Sequence, residues 1–355
     1  MGAISPIFSI GIPTYDRIEL LRHTVLSILN QTFKNFEILI ANDCTQKKLT
    51  YKKLGLIDKR IKIINNEENL GEAGNLNFLL TQAYGEYFTW QFDDDIYFNT
   101  FFESVYNLFQ HKNDLACIYT NLGYIYGKKY PETISKNKTK HNIYNGVDFV
   151  NKVFQGSISA AGCCGVFNRL ILNEIGGVEK ISETPIAIHS EFLLIVHLVK
   201  YKEIGYIKTP LFFSRDYEET FSGSTKDYQS YKIAGLNLLK RGISIYYSYC
   251  SDVNKRLDFL IALINTIMEF YIMRLASVNI INHSYEIRKF YEEILDTLQL
   301  NKNHISKKEI NYLSNIYKKK RWVKIRIKAI LKWHSPKFLN IIFKKIRASI
   351  SKLNI

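Results

Sequence analysis

The chain of 355 residues has few cysteines, no paired cysteine spacing and no long uncharged apolar run. Its five cysteines are odd in number and are not spaced as zinc ligands, which argues against a disulfide framework and for a reducing compartment. No basic leader or cleavage site precedes the first apolar run, so we expect no signal peptide. The most apolar stretch, 259–273, is interrupted by Asn265 and Glu269, and it predicts a core helix rather than a membrane span.

Acidic residues are missing from the last part of the sequence. After Glu309 there is no Asp or Glu, whereas residues 310–355 hold thirteen Lys or Arg. Since the whole chain carries a formal charge of +15, residues 1–309 are nearly neutral at about +2. The excess positive charge therefore belongs to a tail and not to the body.

The first part of the chain, to about residue 220, alternates short apolar runs with segments that have apolar residues at helical spacing. The clearest strand-like runs are 7–13, 36–43, 61–67 and 87–92. Strands that alternate with helices predict an α/β fold, a mostly parallel sheet flanked by helices. From about residue 225 the pattern changes to long helices, which predicts a C-terminal helical region.

Three consecutive carboxylates, Asp93, Asp94 and Asp95, follow the fourth strand-like run. Ligands of parallel sheets bind beyond the carboxyl ends of the strands. In an extended segment residues two apart point the same way, so Asp93 and Asp95 are expected to face one point, where a cation would offset their repulsion. Carboxylate oxygens with room for water and phosphate suit Mg²⁺ or Mn²⁺. The alternative is a solvated acidic turn.

Polar residues also follow the neighbouring strands. Asp43 closes the second strand, where its carboxylate can accept hydrogen bonds from a base imide or a ribose hydroxyl. Taken alone, Asp43 is better explained as a helix cap or turn residue. The segment "NLGEAGNLN" (69–77) is a loop-to-helix junction at which the backbone can approach a diphosphate.

Together these segments resemble the family 2 glycosyltransferases. The resemblance rests on "SIGIPTYDR", "NQTFKNFEILIANDCT", "NLGEAGNLNFLLTQAYGEYFTWQFDDD", "AAGCCGVFNRLILNEIGG" and "IGYIKTPLFFSRD", in that order over roughly residues 7–220. It implies an A-type, Rossmann-like glycosyltransferase fold with a metal-binding motif of the DxD type. It also implies an enzyme that binds a nucleotide sugar, with UDP as the expected nucleotide, together with a divalent cation, and that inverts the anomeric centre.

The resemblance also implies roles for individual residues. The implied donor-binding residues are Pro13, Thr14, Tyr15, Asp43, Asn69, Gly71, Asn77, Asp93, Asp94 and Arg215. The implied metal ligands are Asp93 and Asp95. Two positions depart from the family pattern: Leu76 stands where an arginine is common, and Tyr217 stands where many relatives have a metal-binding histidine. These departures leave the diphosphate contacts and the third metal ligand open.

An inverting transfer also needs a base on the face of the sugar opposite the leaving nucleotide. The family takes an Asp or Glu at the start of a helix after the "GG" segment, and the resemblance places Glu191 at that position. If the register is shifted, His189 is the base instead, and a helix cap is the alternative role of Glu191. We interpret the adjacent Cys163 and Cys164 as small packing residues, since no basic neighbour lowers their pKa.

The tail interleaves basic and apolar residues at helical spacing over residues 318–350, with Trp322 and Trp333 near the border of the apolar face. Basic amphipathic helices with tryptophan lie in the plane of anionic membranes, where each Lys or Arg contributes roughly 1 kcal/mol. We therefore expect residues 318–350 to bind an anionic membrane surface and not nucleic acid. A basic helix packed on the body is the alternative.

The sequence thus predicts three regions: a nucleotide-sugar-binding glycosyltransferase domain over 1–222, a helical region over 223–309 and a membrane-associating tail over 310–355. We expect a metal-dependent hexosyltransferase, cytoplasmic and peripheral on the inner face of the cell membrane. Its acceptor would be a lipid-linked, lipopolysaccharide or capsule-type glycan of the cell envelope. The alternatives are a sugar-phosphate nucleotidyltransferase, which would need a glycine- and lysine-rich opening loop, and a non-catalytic membrane or nucleic-acid adaptor.

Overall fold

The computed structural model of the chain describes residues 5–112, 114–126, 139–216, 227–276, 283–301 and 305–318. The strands are β1 Phe8–Thr14, β2 Phe36–Asn42, β3 Ile61–Asn65, β4 Tyr87–Trp90, β5 Ile96–Tyr97, β6 Cys117–Tyr126, β7 His141–Tyr144, β8 Val166–Asn168 and β9 Ile204–Asp216. The helices are α1 Ile18–Leu29, α2 Tyr51–Leu54, α3 Gly71–Thr81, α4 Phe101–His111, α5 Gly146–Phe154, α6 Arg169–Ile175, α7 Ser190–His197, α8 Tyr228–Tyr249, α9 Val253–Ala276, α10 His283–Leu300 and α11 Lys307–Lys318. Short 3₁₀ turns cover Gly162–Cys164 and Leu198–Lys200.

The strands form one sheet in the order β3-β2-β1-β4-β8-β6-β9-β5, and β7 pairs with β9. Strands β3, β2, β1 and β4 are parallel to their neighbours in this order, as are β6 and β9. Strand β8 is antiparallel to both β4 and β6, and β5 and β7 are antiparallel to β9. Most paired residues lie in the parallel pairs, which confirms the predicted α/β fold class.

Both faces of the sheet are covered by helices. On one face α1 and α4 pack against β1 and β2, and on the other α3, α5, α7 and the C-terminal helices pack against the same strands and their neighbours. Along β2, Ile38 and Ile40 belong to the core on the side of α1 and α4, which we call the first core. Leu39 and Ala41 belong to the core on the side of α3 and the C-terminal helices, which we call the second core. Side chains alternate along a strand, so a strand that is covered on both sides reads as a continuous apolar run.

The C-terminal helices share the second core with the sheet. Leu238 of α8 and Leu263 of α9 are fully buried, together with Leu193 of α7. Most apolar residues of the segment 259–273 are likewise buried within α9. Within the described part of the chain, no helix combines the length and the apolar character that crossing a bilayer requires.

The division into three regions remains a prediction. The boundary at 222/223 lies outside the described residues, as does the tail from residue 319 onward. The boundary at 309/310 falls inside α11, whose Ile310 and Leu313 are buried. Helix α11 therefore packs with the body, and a tail that is separate from the body can begin only beyond it.

Candidate active site

The three consecutive acids lie in a turn between β4 and β5 and not in extended chain. The backbone N–H of Asp95 donates to the carbonyl of Phe92 at 3.2 Å, which closes the turn. Because the chain turns here, the alternation of an extended strand does not bring Asp93 and Asp95 to one point. Asp93 and Asp95 are buried, and the side chain of Asp94 keeps 17% of its surface exposed. We call this segment, Asp93–Asp95, the acid turn.

Residues from the end of β1 and the start of α1 hold Asp93. The hydroxyl of Thr14 donates to Oδ2 of Asp93 at 2.6 Å, and Nε of Arg17 donates to the same oxygen at 3.2 Å. Arg17 also forms an ion pair with Oδ1 of Asp93 and reaches Oδ2 of Asp94 at 3.1 Å. A single guanidinium therefore links the β1–α1 junction to two of the three acids.

Asp95 is held from the other side by the end of β9. Its Oδ1 accepts a hydrogen bond from the backbone N–H of Arg215 at 3.1 Å. Arg215 is 6% exposed, and its Nη1 lies 3.4 Å from Nδ1 of His23. Its Nε and Nη2 have no hydrogen-bond partner within the described segments. A buried guanidinium with unused N–H groups suits an anion, and phosphate is the anion that it binds in two-point geometry.

Burial raises the pKa of Asp93 to about 7, since Arg17 opposes the shift only in part and Asp94 adds to it. Burial also raises the pKa of Asp95 well above its ordinary value, and the neighbouring Asp94 carboxylate adds to this shift. The ionised forms of these acids are thus disfavoured despite their protein partners. A cation at the acid turn would favour the ionised forms.

The acid turn fits a divalent cation by its chemistry. Its carboxyl oxygens are hard ligands, and the side chain of Asp94 is partly accessible. Among the residues that the structure describes, no group of three or more His, Cys, Asp or Glu side chains is arranged around a metal position. Mg²⁺ commonly takes one or two carboxylates and completes its shell with water and phosphate oxygens. The acid turn offers that smaller set.

Asp43 is buried at the end of β2 and holds the loop that precedes α3. Its Oδ1 accepts hydrogen bonds from the backbone N–H of Leu70 at 2.9 Å and from Nδ2 of Asn66 at 2.8 Å. In the same loop Oδ1 of Asn69 accepts from the N–H of Gly71 at 2.9 Å, and Gly71 has φ +68°, in the left-handed region that favours glycine. Asp43 thus fixes the shape of this loop. A contact between Asp43 and a base or ribose remains a prediction.

The other predicted donor contacts at this edge lie at the end of β1. Pro13 and Thr14 are buried, whereas Tyr15 is 51% exposed and offers its ring at the strand end. The next residue, Asp16, has φ +55° and forms an ion pair with Lys47. The chain therefore turns sharply here, between a buried hydroxyl and an exposed aromatic ring.

Asn77 lies on α3, and the backbone of Val178 uses both ends of its side-chain amide. Its Nδ2 donates to the carbonyl of Val178 at 2.9 Å, and its Oδ1 accepts from the N–H of Val178 at 2.8 Å. Gly177 lies so close that a Cβ there would be 2.3 Å from this Oδ1. These bonds join α3 to the "GG" segment and support a structural role for Asn77. A contact between Asn77 and the nucleotide-sugar donor remains a prediction.

Glu191 lies in the first turn of α7 against the 3₁₀ turn Gly162–Cys164. A Cβ at position 162 would lie 2.4 Å from Cβ and 2.9 Å from Oε2 of Glu191, so glycine is the residue that leaves room for this side chain. Burial raises the pKa of Glu191 to about 7, and the nearby carboxyl of Glu72 adds to the shift. A carboxyl that titrates near neutral pH suits a general base.

His189, the alternative base, lies in an aromatic cluster just before α7. Its ring centroid lies 5.9 Å from that of Phe192, 5.6 Å from Tyr231 and 5.2 Å from Phe270. Burial lowers the pKa of His189 to about 3, and the positive charge of Arg274 adds to the shift. The ring is therefore neutral and enclosed. This setting supports a packing role for His189.

Sequence reasoning missed two charged residues of this site, Arg17 and Glu72. Arg17 stands two residues after Tyr15, and Glu72 stands next to Gly71, so each adjoins a segment that the sequence predicted to bind the donor. The structure brings both to the acids: Arg17 contacts Asp93 directly, and Glu72 lies close enough to Glu191 to raise its pKa. Their position beside predicted site residues was the available signal.

Comparisons with known sequences find similarity to glycosyltransferases. The model of the family described as "Glycosyl transferase family 2" matches residues 9–176. The "Putative colanic acid biosynthesis glycosyl transferase WcaA" of Escherichia coli (strain K12) is 25% identical over 64% of this chain and 88% of its own length. The "UDP-Glc:alpha-D-GlcNAc-diphosphoundecaprenol beta-1,3-glucosyltransferase WfgD" of Escherichia coli is 29% identical over 38% of this chain. The "GalNAc(5)-diNAcBac-PP-undecaprenol beta-1,3-glucosyltransferase" of Campylobacter jejuni is 39% identical over 25% of this chain.

The chain spans 55% of the length of WfgD and 30% of that of the Campylobacter jejuni enzyme. Among solved structures, the one titled "Crystal structure of S. aureus TarS 1-349 in complex with UDP-GlcNAc" matches with a TM-score of 0.51 at 12% identity. This match covers 84% of the present chain and 93% of that chain, and at such low identity it supports the fold alone. The family match over residues 9–176 and the named relatives show that this part of the chain is similar to the glycosyltransferases of family 2.

Proposed function

We propose that the chain is a metal-dependent, inverting glycosyltransferase that moves a sugar from a nucleotide sugar to a lipid-linked or other cell-envelope glycan. One observation carries the proposal: Glu72 accepts a hydrogen bond from the Ala187 N–H, in the segment that leads to Glu191, and it also lies near the acid turn. Burial raises the pKa of Glu72, the Ala187 N–H and Arg17 oppose that shift, and Asp94 adds to it, while Glu72 in turn raises the pKa of Glu191. The groups suited to a diphosphate and the group suited to take a proton are therefore neighbours.

The transfer is a single displacement at the anomeric carbon. The hydroxyl oxygen of the acceptor forms a bond to this carbon, the bond from this carbon to the diphosphate oxygen breaks, and the nucleoside diphosphate leaves with the electron pair. The proton of the hydroxyl passes to the carboxylate of Glu191. Because attack comes from the face opposite the leaving group, the configuration inverts. With a pKa of about 7, a large share of Glu191 is ionised at neutral pH.

The donor would lie along the carboxyl ends of β1, β2, β4 and β9. The nucleoside side would be formed by Pro13, Thr14, Tyr15 and Asp43, and the diphosphate side by Asn69, Gly71 and Arg215. Asp94, with Asp93 or Asp95 beside it, would hold Mg²⁺ or Mn²⁺, which would supply positive charge to the leaving diphosphate. The two unpartnered N–H groups of Arg215 would add to that charge from the protein.

The acceptor class is proposed from the named relatives. WfgD and the Campylobacter jejuni enzyme are described as acting on sugars carried by undecaprenol through a diphosphate, and the name of WfgD gives UDP-Glc as its donor. A lipid-linked glycan and a UDP sugar are therefore the first substrates to test for this chain.

A screen of nucleotide sugars with Mn²⁺ tests the proposal. We expect a UDP sugar to raise the melting temperature and to be hydrolysed slowly when metal is present and not when it is chelated. Formation of pyrophosphate from a sugar phosphate and a nucleoside triphosphate would support a nucleotidyltransferase instead. If no nucleotide sugar binds or is hydrolysed, the result would support a non-catalytic adaptor.

Gly162→Ala is expected to lower turnover by up to about 10²-fold, because a displacement of a catalytic group by about 1 Å can cost that much. The added Cβ would lie 2.4 Å from Cβ of Glu191, so either α7 or the 3₁₀ turn must move. Steady-state kinetics and calorimetric titration with the nucleotide sugar separate turnover from donor affinity, which should stay close to that of the parent. Unchanged turnover in a normally folded Gly162→Ala protein would contradict the placement of Glu191 as the base.

The basic tail, 318–350, is proposed to bind the anionic inner face of the cell membrane. Truncation after Lys318 keeps α11 and its buried Leu313, and should leave a folded enzyme that acts on a water-soluble acceptor analogue. The same truncation should abolish binding to vesicles that contain anionic lipid, and binding of the full chain should fall as salt rises. Salt-independent vesicle binding by the full chain, or a truncated protein that does not fold, would contradict this prediction.

A further inference from the structure

Glu72, in the first turn of α3, binds one distant segment twice. Its backbone N–H donates to the carbonyl of Pro185 at 2.7 Å, and its Oε2 accepts from the backbone N–H of Ala187 at 2.8 Å. Gly71 permits this approach, since a Cβ there would lie 2.9 Å from the Pro185 oxygen. The start of α3 and the segment 185–187 are therefore clamped together by a side-chain and a backbone hydrogen bond.

The clamped segment leads directly to α7 and the candidate base. The N–H of Ser190 donates to the carbonyl of Ala187 at 3.0 Å, so the turn before α7 begins at the clamped residue. Between them His189 has a backbone φ of +63°, which residues other than glycine rarely adopt. The aromatic cluster around His189 holds the same junction from the other side. Glu191 is thus directed by contacts on both sides of a strained junction.

Glu72 is also one of the charged groups that face Glu191. The titratable groups close to Glu191 are Glu72 of α3, Tyr119 of β6, Cys163 and Cys164 of the 3₁₀ turn, and Tyr231 of α8. At neutral pH Tyr119, Cys163, Cys164 and Tyr231 are uncharged, because burial raises the pKa of each. When ionised, Glu72 is therefore the neighbour in this set that brings negative charge to the base, and burial raises its own pKa as well.

We propose that Glu72 is a positioning residue that couples the candidate diphosphate loop at Asn69–Gly71 to the helix that carries the base. The proposal rests on the proposed function of Glu191. Through its bond to Ala187, Glu72 sets the direction of Glu191, and through its charge it sets the pH at which Glu191 loses its proton. Movement of the loop when a diphosphate binds would then reach the base through the two hydrogen bonds of Glu72.

Two substitutions separate the hydrogen bond from the charge. Glu72→Gln keeps a side-chain oxygen for the Ala187 N–H and removes the charge, whereas Glu72→Ala removes both. We expect Glu72→Gln to keep kcat near that of the parent at high pH and to shift the ascending limb of kcat/KM against pH downward by about one unit. We expect Glu72→Ala to lower kcat by about tenfold or more, with little change in KM for the donor. Glu183 is an exposed acid two residues before the clamped segment, and Glu183→Gln is the matched control, which should behave like the parent.

Hydrogen exchange measures the clamp without reference to activity. In Glu72→Ala the amide of Ala187 should exchange faster than in the parent, and Glu72→Gln should restore its protection. The inference is overturned if Glu72→Ala keeps the kcat, the pH limb and the Ala187 protection of the parent, or if Glu72→Gln leaves the pH limb in place. Should Glu72→Ala fail to fold, the pH limb of Glu72→Gln decides alone. Full activity of Glu191→Gln would instead overturn the proposed function, whatever the Glu72 variants do.

Discussion

Replacing Glu191 by glutamine is expected to lower turnover by about 10² or more while nucleotide-sugar affinity stays near that of the parent, since loss of a general base costs on that scale. The amide has the shape of the carboxylate and still fits against Gly162, but it cannot take the proton of the acceptor hydroxyl. The donor contacts proposed at the strand ends are untouched by this change. The substitution should therefore act on kcat and leave binding almost unchanged.

The pH dependence provides a second measurement of the same residue. The base must be ionised to work, and the pKa of Glu191 is about 7, so the rate of the parent should rise with pH through about 7. Glu191→Gln should lack this ascending limb. His189→Ala, checked for folding by thermal unfolding, is the control for the other assignment. A fully active Glu191→Gln together with an inactive but folded His189→Ala would make the histidine the base.

Most of the fold could be predicted from the sequence because it follows from local patterns. The parallel strands β1, β2 and β3 are apolar runs bounded by turn residues and separated by amphipathic helices, and the structure places strands in the same runs. The antiparallel strands β5 and β8 were not predicted. They have two and three residues, too few for a period to show, and they exist because β9 and β6 lie beside them.

The site was predictable where its residues follow strands, and less so where the chain folds back on itself. The acids could be predicted as site residues because they end an apolar run. The relative direction of their side chains depends on a turn that the run of Asp residues does not predict. The bond between Glu72 and Ala187 joins residues 115 positions apart, and that between Arg17 and Asp93 joins residues 76 positions apart. No local pattern specifies such pairs, because they arise from docking of distant segments.

Asparagine substitutions in the acid turn are expected to remove metal-dependent donor binding. Asp94→Asn should show this effect most cleanly, because Asp94 is the acid of the turn with an accessible side chain and its ion-pair partner Arg17 is itself 34% exposed. The fold should persist, since the asparagine can still accept the hydrogen bond from Arg17. Asp95→Asn keeps the acceptor for the Arg215 N–H and replaces the buried carboxyl by an amide of the same shape, so it too should fold.

Calorimetric titration of the nucleotide sugar with Mn²⁺ and with chelator measures this effect. In the parent, metal should tighten donor binding, because a cation on the diphosphate offsets its charge against the three carboxylates. In Asp94→Asn and Asp95→Asn the two titrations should give nearly the same weak affinity, and transfer activity should be lost. Glu103→Gln, a substitution in the first turn of α4, is the control for a general change of charge. If both turn variants kept full transfer activity and still required metal, the cation would have to be held by other residues. The acid turn would then be an ion-pair partner of Arg17 and a hydrogen-bond acceptor for the Arg215 backbone, and it would stabilise the ends of β4 and β9.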